Sequence, residues 1–253
     1  MRALRIDAAR KASGVVRVAT AADLGPLRPL PFMATLPALK QAPCPYLAGA
    51  AVDSTGVPVA AVVAESAALA RDAAELIEVD YEALPPVADP ERRLETGTAL
   101  VHGELGTNQA FSWPLKGGDV DRAFGRAAHV VQVRLDHNRL AGAPMEPRGV
   151  LARYDAGSGE LTLWLTTQNP FLSRADLAAV LGFPEHKLRV IAPDVGGGFG
   201  VKGPLYREEI VGAALARELG RPIRWVSTRT EDLLTTIQAR AITRSKGLAT
   251  PSV

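Results

Sequence analysis

Cysteine, aromatic side chains, long apolar runs and an excess of charge of one sign are all scarce in this 253-residue chain. The single cysteine, Cys44, excludes a disulfide framework and any zinc or iron–sulfur centre held by cysteines of this chain. It lies in the proline-rich loop APCPY and reads as an ordinary thiol. Aromatics are 5% of the residues, so the core has to be built from Ala, Val, Leu and Ile. The longest apolar run, Val57–Ala64, falls far short of the roughly 18–20 residues of a membrane-spanning helix. The first residues, MRALRIDAARKASG, carry bases with no apolar stretch behind them, unlike a secretory signal. The expected location is the cytoplasm. Lys and Arg number 29 against 27 Asp and Glu, a net charge of +2, with the signs interspersed. That pattern offers neither a basic stripe for nucleic acid nor a polybasic membrane patch.

What is present is an ordinary globular balance, 47% hydrophobic and 22% charged, long enough for one large domain or two small ones. Short strands are expected over Leu4–Asp7 and Val15–Ala19, with one helical turn between them. Val57–Ala64 reads as a buried strand. Ser66 is placed to cap a helix over Ala67–Ala74, and LIEVDY at Leu76–Tyr81 alternates as a strand. That order predicts that Val57–Ala64 and Leu76–Tyr81 share one small sheet covered by the helix. Gly25–Pro45 is proline-rich and extended, a loop that is either functional or packed against a partner. Leu84–Glu104 has the prolines, glycines and charges of a linker. Beyond it, Asp119 should cap a helix over Val120–Ala128, and His129–His137 alternates as a strand. Val150–Tyr154 and Leu161–Thr166 frame the turn DAGSGE, with Gly157 and Gly159 where positive φ is needed. Ser173–Leu181 and Leu205–Leu219 read as helices closed by Gly182 and Gly220, with strands at Leu188–Ala192 and Ile223–Ser227. The fold class is therefore α+β, or mixed α/β.

The segment with chemistry in it is PDVGGGFGVKG, Pro193–Gly203. A glycine-rich loop between a strand and a helix exposes main-chain N–H groups suited to an anion or a planar polar ligand. Gly198, Gly200 and Gly203 form a formal G-x-G-x-x-G, but the acidic residue that a dinucleotide fold needs at the end of the next strand is missing there. The plainer alternative is a turn that lets a helix pack closely. Among the acids, Glu208 and Glu209 at a helix start read as solvated or capping. His102, His129, His137 and His186 show no metal-ligand spacing.

Several segments read together resemble the molybdenum-binding large subunit of the xanthine dehydrogenase, aldehyde oxidase and carbon monoxide dehydrogenase family. They are VPVAAVVAES (Val57–Ser66), AAELIEVDYEALPPVADPE (Ala73–Glu91), GDVDRAF (Gly118–Phe124), APMEPRGVLARYD (Ala143–Asp155), LTLWLTTQNP (Leu161–Pro170) and VIAPDVGGGFGVK (Val190–Lys202). Their order and spacing match up to about Arg240. The MEPRG and DVGGGFG forms are nearer the bacterial carbon monoxide dehydrogenase-like branch.

The resemblance implies a hammerhead-like α/β domain over residues 1–90, a linker over 91–104, and the start of the first molybdenum-cofactor-binding domain over 105–253. It implies that Gln168 hydrogen-bonds an oxygen ligand of molybdenum, and that Gly197, Gly198, Phe199 and Gly200 approach metal and pterin with their main chain. It also implies that Glu146, in the segment MEPRG, faces the cofactor cleft. The implied cofactor is a molybdopterin, in a dinucleotide form, with 2Fe-2S and FAD groups on a small and a medium partner subunit of a hetero-oligomer. The implied reaction is oxidative hydroxylation of an aldehyde or related small carbon substrate. The family's base, a glutamate, belongs to a part beyond residue 253, as does the copper-binding cysteine of the carbon monoxide enzymes, and Gly203 stands where the xanthine-type enzymes place a substrate-binding glutamate. The tail AITRSKGLATPSV does not match the family's continuation. The contrasting class is a non-catalytic remnant or subunit-assembly module.

Overall fold

The computed structural model describes residues 1–31, 36, 38–115, 117–138, 140–237 and 242–249. The N-terminal part contains β1 (Ala3–Arg5), α1 (Asp7–Arg10), β2 (Val15–Thr20), β3 (Ala60–Ala64), α2 (Ala67–Glu75) and β4 (Glu78–Asp80). Ser66 caps α2 by accepting the Leu69 N–H at 3.2 Å, as its position predicts. The shared sheet expected for β3 and β4 does not form. β3 pairs antiparallel with β2 (Ala19↔Ala61), and β4 pairs antiparallel with β1 (Leu4↔Val79), as two separate two-stranded sheets. The two pairs pack on a shared apolar cluster, while the contacts of Glu78 with Arg5 and Glu82 with Arg2 across β1–β4, each at 3.3 Å, are exposed and fix little. Ile6, Ala9 and Val18 form a small core between the two pairs, with Leu4, Val62 and Ile77 against it.

The larger part is built on a four-stranded sheet in the order β8 (Leu188–Ile191), β7 (Glu160–Leu165), β6 (Gly149–Asp155), β9 (Ile223–Val226). β6 runs antiparallel to β7 and β9, while β7 and β8 are parallel. Helix α4 (Pro170–Leu181) makes the crossover between those two, and α5 (Arg207–Leu219) packs beside it. Period-two alternation buries Leu161, Leu163 and Leu165 beneath α4 and α5, against Leu177, Val180, Ile210, Ala213 and Leu215. The helix starts differ from expectation. α4 begins at Pro170, whose fixed φ and missing donor suit the first helical position, and α5 begins at Arg207. Both end at left-handed glycines, Gly182 (φ +57°) and Gly220 (φ +60°). In the β6–β7 turn only Gly159 (φ +67°) takes positive φ; Gly157 does not.

The remaining elements are α3 (Val120–Arg126), capped by Asp119, β5 (His129–Asp136), α6 (Arg229–Thr235) and β10 (Ile242–Ala249). β10 pairs along its whole length with β5, from Ile242↔Asp136 to Ala249↔His129. Residues 242–249 of the tail that does not match the family's continuation are thus a strand of this fold. Part of the proline-rich loop, expected to serve function or a partner, packs on its own molecule. Arg28 N donates to Val180 O at 2.9 Å, the Tyr46 hydroxyl donates to Arg28 O at 2.7 Å, and Tyr46 and Leu47 join the main core. Phe32–Thr35 and Pro37 of that loop lie outside the described residues. Among the described residues no helix is long and apolar enough to cross a membrane.

Candidate functional site

Strand directions bring three distant motifs to one end of the sheet. β7 and β8 are parallel, so the segments after them, Thr166–Asn169 and the glycine loop, leave side by side. β6 is antiparallel to β7, so the segment before it, Met145–Arg148, starts at the same end. β9 ends there too and delivers α6. This is the carboxyl end of the parallel pair, where α/β sheets place ligands.

The structure brings together Gln168 and the loop, as expected. Gln168 Oε1 accepts the N–H groups of Gly200 and Lys202 at 3.0 and 3.3 Å, and Gln168 N donates to Lys202 O at 2.9 Å. With Oε1 committed to two donors, the outward face of this exposed amide is Nε2, which has no protein acceptor among the described residues. The loop glycines serve two needs. Gly197 (φ +94°) and Gly200 (φ +84°) supply backbone conformations closed to other residues. Gly196 and Gly198 make room for side chains of this chain: a Cβ at 196 would lie 2.6 Å from Glu146 Cβ, and one at 198 would lie 2.5 Å from Gln168 Cδ. Val201 N donates to Gly198 O at 3.0 Å, closing a tight turn with Phe199 (φ +49°) and Gly200 at its centre. A bulky residue held at positive φ is strained, and Phe199 is 74% exposed. The N–H groups of Gly198 and Phe199 have no protein acceptor among the described residues.

Glu146 does not stand free in a cleft. Its Oε2 accepts Gly196 N–H at 2.8 Å and Lys202 Nζ at 2.9 Å. Partial burial pushes its pKa up, but the bonds from Lys202 and Gly196 outweigh that and hold the carboxyl below its usual range. It is a poor general base at neutral pH.

Behind the site lies a polar cluster that the sequence reading missed. Arg148 is fully buried. Its Nε donates to Asp232 Oδ1 at 3.0 Å, its Nη2 to Thr235 Oγ1 at 2.6 Å, and its Nη1 reaches Glu208 at 3.5 Å. The guanidinium stacks 3.9 Å from the Tyr206 ring centre. Ser227 Oγ donates to Asp232 Oδ1 at 2.7 Å. The available signal was a cation inside each quoted motif, Arg148 in MEPRG and Lys202 in GGGFGVK; nothing local pointed to Asp232.

Of the helix-start acids, Glu209 caps α5 by accepting Tyr206 N–H at 2.8 Å, and it is buried rather than solvated. Burial pushes its pKa from 4.5 up to about 8, against the opposing effects of the Tyr206 N–H and Arg148. A carboxyl whose folded pKa is raised holds a proton that the unfolded chain releases. It therefore costs stability increasingly as pH rises from about 4.5 to about 8, and by a constant amount above that. Glu209→Gln is expected to flatten the melting temperature between about pH 5 and pH 8 relative to the unsubstituted chain. Parallel profiles would show Glu209 ionised in the fold. Among the other polar groups, His102 sits 3.6 Å from Asp53, and no cluster of metal-ligating side chains occurs among the described residues. Cys44 accepts from Arg207 Nη2 at 3.3 Å and is exposed.

This arrangement has clear relatives. A family model described as a molybdopterin cofactor-binding domain matches residues 101–248, and one described as the a/b hammerhead domain of aldehyde oxidase and xanthine dehydrogenase matches residues 1–85. The first extends past the limit expected near Arg240. The nicotine 6-hydroxylase large subunit of Paenarthrobacter nicotinovorans is 41% identical over 75% of this chain and 23% of its own length. The carbon monoxide dehydrogenase large chain of Afipia carboxidovorans is 38% identical over 92% of this chain and 30% of its own. Among solved structures, quinoline 2-oxidoreductase from Pseudomonas putida 86 superposes with a TM-score of 0.87 at 35% identity, over 96% of this chain and 31% of its own. Reconstituted CO dehydrogenase from Oligotropha carboxidovorans gives 0.88 at 35%, over 98% and 32%. The chain thus spans under a third of the length of these relatives. Matched over both its parts, it belongs to the xanthine dehydrogenase and aldehyde oxidase family of molybdopterin-binding large subunits.

Proposed function

We propose that the chain is the N-terminal portion of a molybdenum hydroxylase large subunit of the carbon monoxide dehydrogenase-like branch, acting on an aldehyde or related small carbon substrate. Residues 1–90 serve as the hammerhead-like domain and 105–253 as the first part of the cofactor domain, joined by 91–104. Partner subunits with iron–sulfur clusters and a flavin take the electrons onward. The site residues are Gln168, Gly197, Gly198, Phe199 and Gly200. The observation that carries this reading is the orientation of the Gln168 amide: Oε1 faces the loop N–H groups and Nε2 faces out.

The residues present fit the group. Gln168 Nε2 and the N–H groups of Gly198 and Phe199 are uncommitted donors without added charge, suited to an oxygen-rich, acceptor-rich ligand. Gly200 has no atom within 4 Å of where a Cβ would stand, which leaves space for close approach. When bound, the molybdenum cofactor supplies the redox centre; the chain's own residues bind and orient it. Glu146, committed to Lys202 and Gly196, is not available to move a proton.

The test is to co-express the full chain with a molybdenum-cofactor maturation system and measure molybdenum and pterin per chain. Retention is expected in the unsubstituted chain and should fall about tenfold in Gln168→Ala, the effect of losing a donor to an anionic acceptor. No dye-linked oxidation of an aldehyde panel is expected from the chain alone. Equal molybdenum in both proteins would overturn the assignment of Gln168, and turnover above a metal-free control would show that an acid of this chain acts as base.

A further inference from the structure

The glycine loop is gripped at both ends by one ion pair. At its start, Glu146 Oε2 accepts Gly196 N–H at 2.8 Å, and Glu146 N–H donates to Gly196 O at 3.2 Å. At its end stands Lys202, whose Nζ donates to the same Oε2 at 2.9 Å. The Lys202 side chain is completely buried, and Glu146 is its one hydrogen-bond partner among the described residues. An ammonium buried without a partner is strongly disfavoured, so Lys202 cannot leave Glu146 while the loop stays folded. This differs from an exposed surface pair, which fixes little.

The main chain of Lys202 transmits that constraint to Gln168. Lys202 O accepts Gln168 N at 2.9 Å and Thr167 Oγ1 at 3.3 Å, and Lys202 N–H donates to Gln168 Oε1 at 3.3 Å. An exposed glutamine amide without such donors turns freely and presents oxygen or nitrogen alike. We propose that Glu146 and Lys202 are a positioning pair: their ion pair closes the glycine loop and, through the Lys202 main chain, holds the Gln168 amide with Nε2 outward, so that this amide offers donors only. The purpose of this device rests on the cofactor reading above; the coupling from Glu146 to Gln168 does not.

The experiment uses the full chain, 15N-labelled and prepared without cofactor, in unsubstituted form and as Glu146→Gln and Lys202→Met. Glu146→Gln keeps the volume and an oxygen for Gly196 N–H, so a change in it reports the charge. In both variants the Gly200 and Lys202 amides are expected to exchange about tenfold faster, with Leu163 and Leu165 of β7 unchanged. The two Gln168 side-chain amide proton resonances are expected to move towards those of a free glutamine, which a role confined to packing would not cause. Unchanged Gly200 and Lys202 exchange together with unchanged Gln168 resonances in Glu146→Gln would overturn the proposal, and this variant decides if Lys202→Met fails to fold. Molybdenum retention by the unsubstituted chain is scored separately: loop changes as expected with no retained molybdenum leave the positioning pair standing and remove the cofactor reading.

Discussion

Replacing Arg148 with methionine is expected to lower the unfolding free energy by about 3–5 kcal/mol, the cost of stranding a buried charge. Arg148 is 0% exposed and Asp232 3% exposed. Asp232 Oδ2 is already a buried oxygen without a hydrogen-bond partner, with Arg229 Nη1 3.9 Å away. Without the guanidinium, Asp232 Oδ1 would retain only the Ser227 hydroxyl and the residue-148 N–H. The carboxyl would then have to take up a proton or leave the interior. Helix α6 would lose its two bonds to the guanidinium, from Asp232 and Thr235, and keep only the residue-148 N–H and the Arg229 contact with Met145 O to the segment before Gly149. Urea unfolding should show a lower midpoint with an unchanged slope. Removing both charges as Arg148→Met with Asp232→Leu should recover only part of the loss: no buried charge is left unpaired, but the residue-148 N–H and the Ser227 hydroxyl lose an acceptor. A loss below about 1 kcal/mol in the single variant would mean that the cluster is already compensated by water.

Gly198→Ala is expected to separate binding from stability. The new Cβ would stand 2.5–2.6 Å from Gln168 Cδ, Cγ and Oε1, closer than real atoms approach. Gln168 is exposed and can swing away, so the fold should lose only about 1 kcal/mol, the lower end for overpacking. The bond from Gly200 N to Gln168 Oε1 would go with it, and the amide would cease to aim its donors. Molybdenum retention by the co-expressed chain is therefore expected to fall about tenfold or more. Gly200→Ala tests the loop separately: its Cβ meets no protein atom within 4 Å, but φ is +84° and the methyl would fill the space left for close approach, so it strains and covers the loop without striking Gln168. If Gly200→Ala lost the cofactor and Gly198→Ala kept it, the loop backbone and not the Gln168 amide would be the binding element.

The sequence by itself determined what is decided within a few residues. Ser66 and Asp119 cap helices because an acceptor side chain stands three residues before an unpaired N–H. Gly159, Gly182 and Gly220 end elements because φ is positive there. The run Gly196–Gly200 announces a loop that needs bare backbone, and its resemblance to a known family was legible because order and spacing survive in a single chain. The tertiary structure decided the rest, because pairing and burial sum over residues far apart. β4 pairs with β1, about 75 residues earlier in the chain, rather than with β3. Gly198 turned out to make room for Gln168, which lies thirty residues earlier in the chain. Lys202, Arg148, Glu209 and Asp232 look like surface residues in any window of sequence. Arg148, Asp232 and Lys202 are buried because each finds its opposite charge only when the ends of β6, β7, β8 and β9 meet, whereas the bond of Glu209 to Tyr206 N–H is local and only its burial is tertiary.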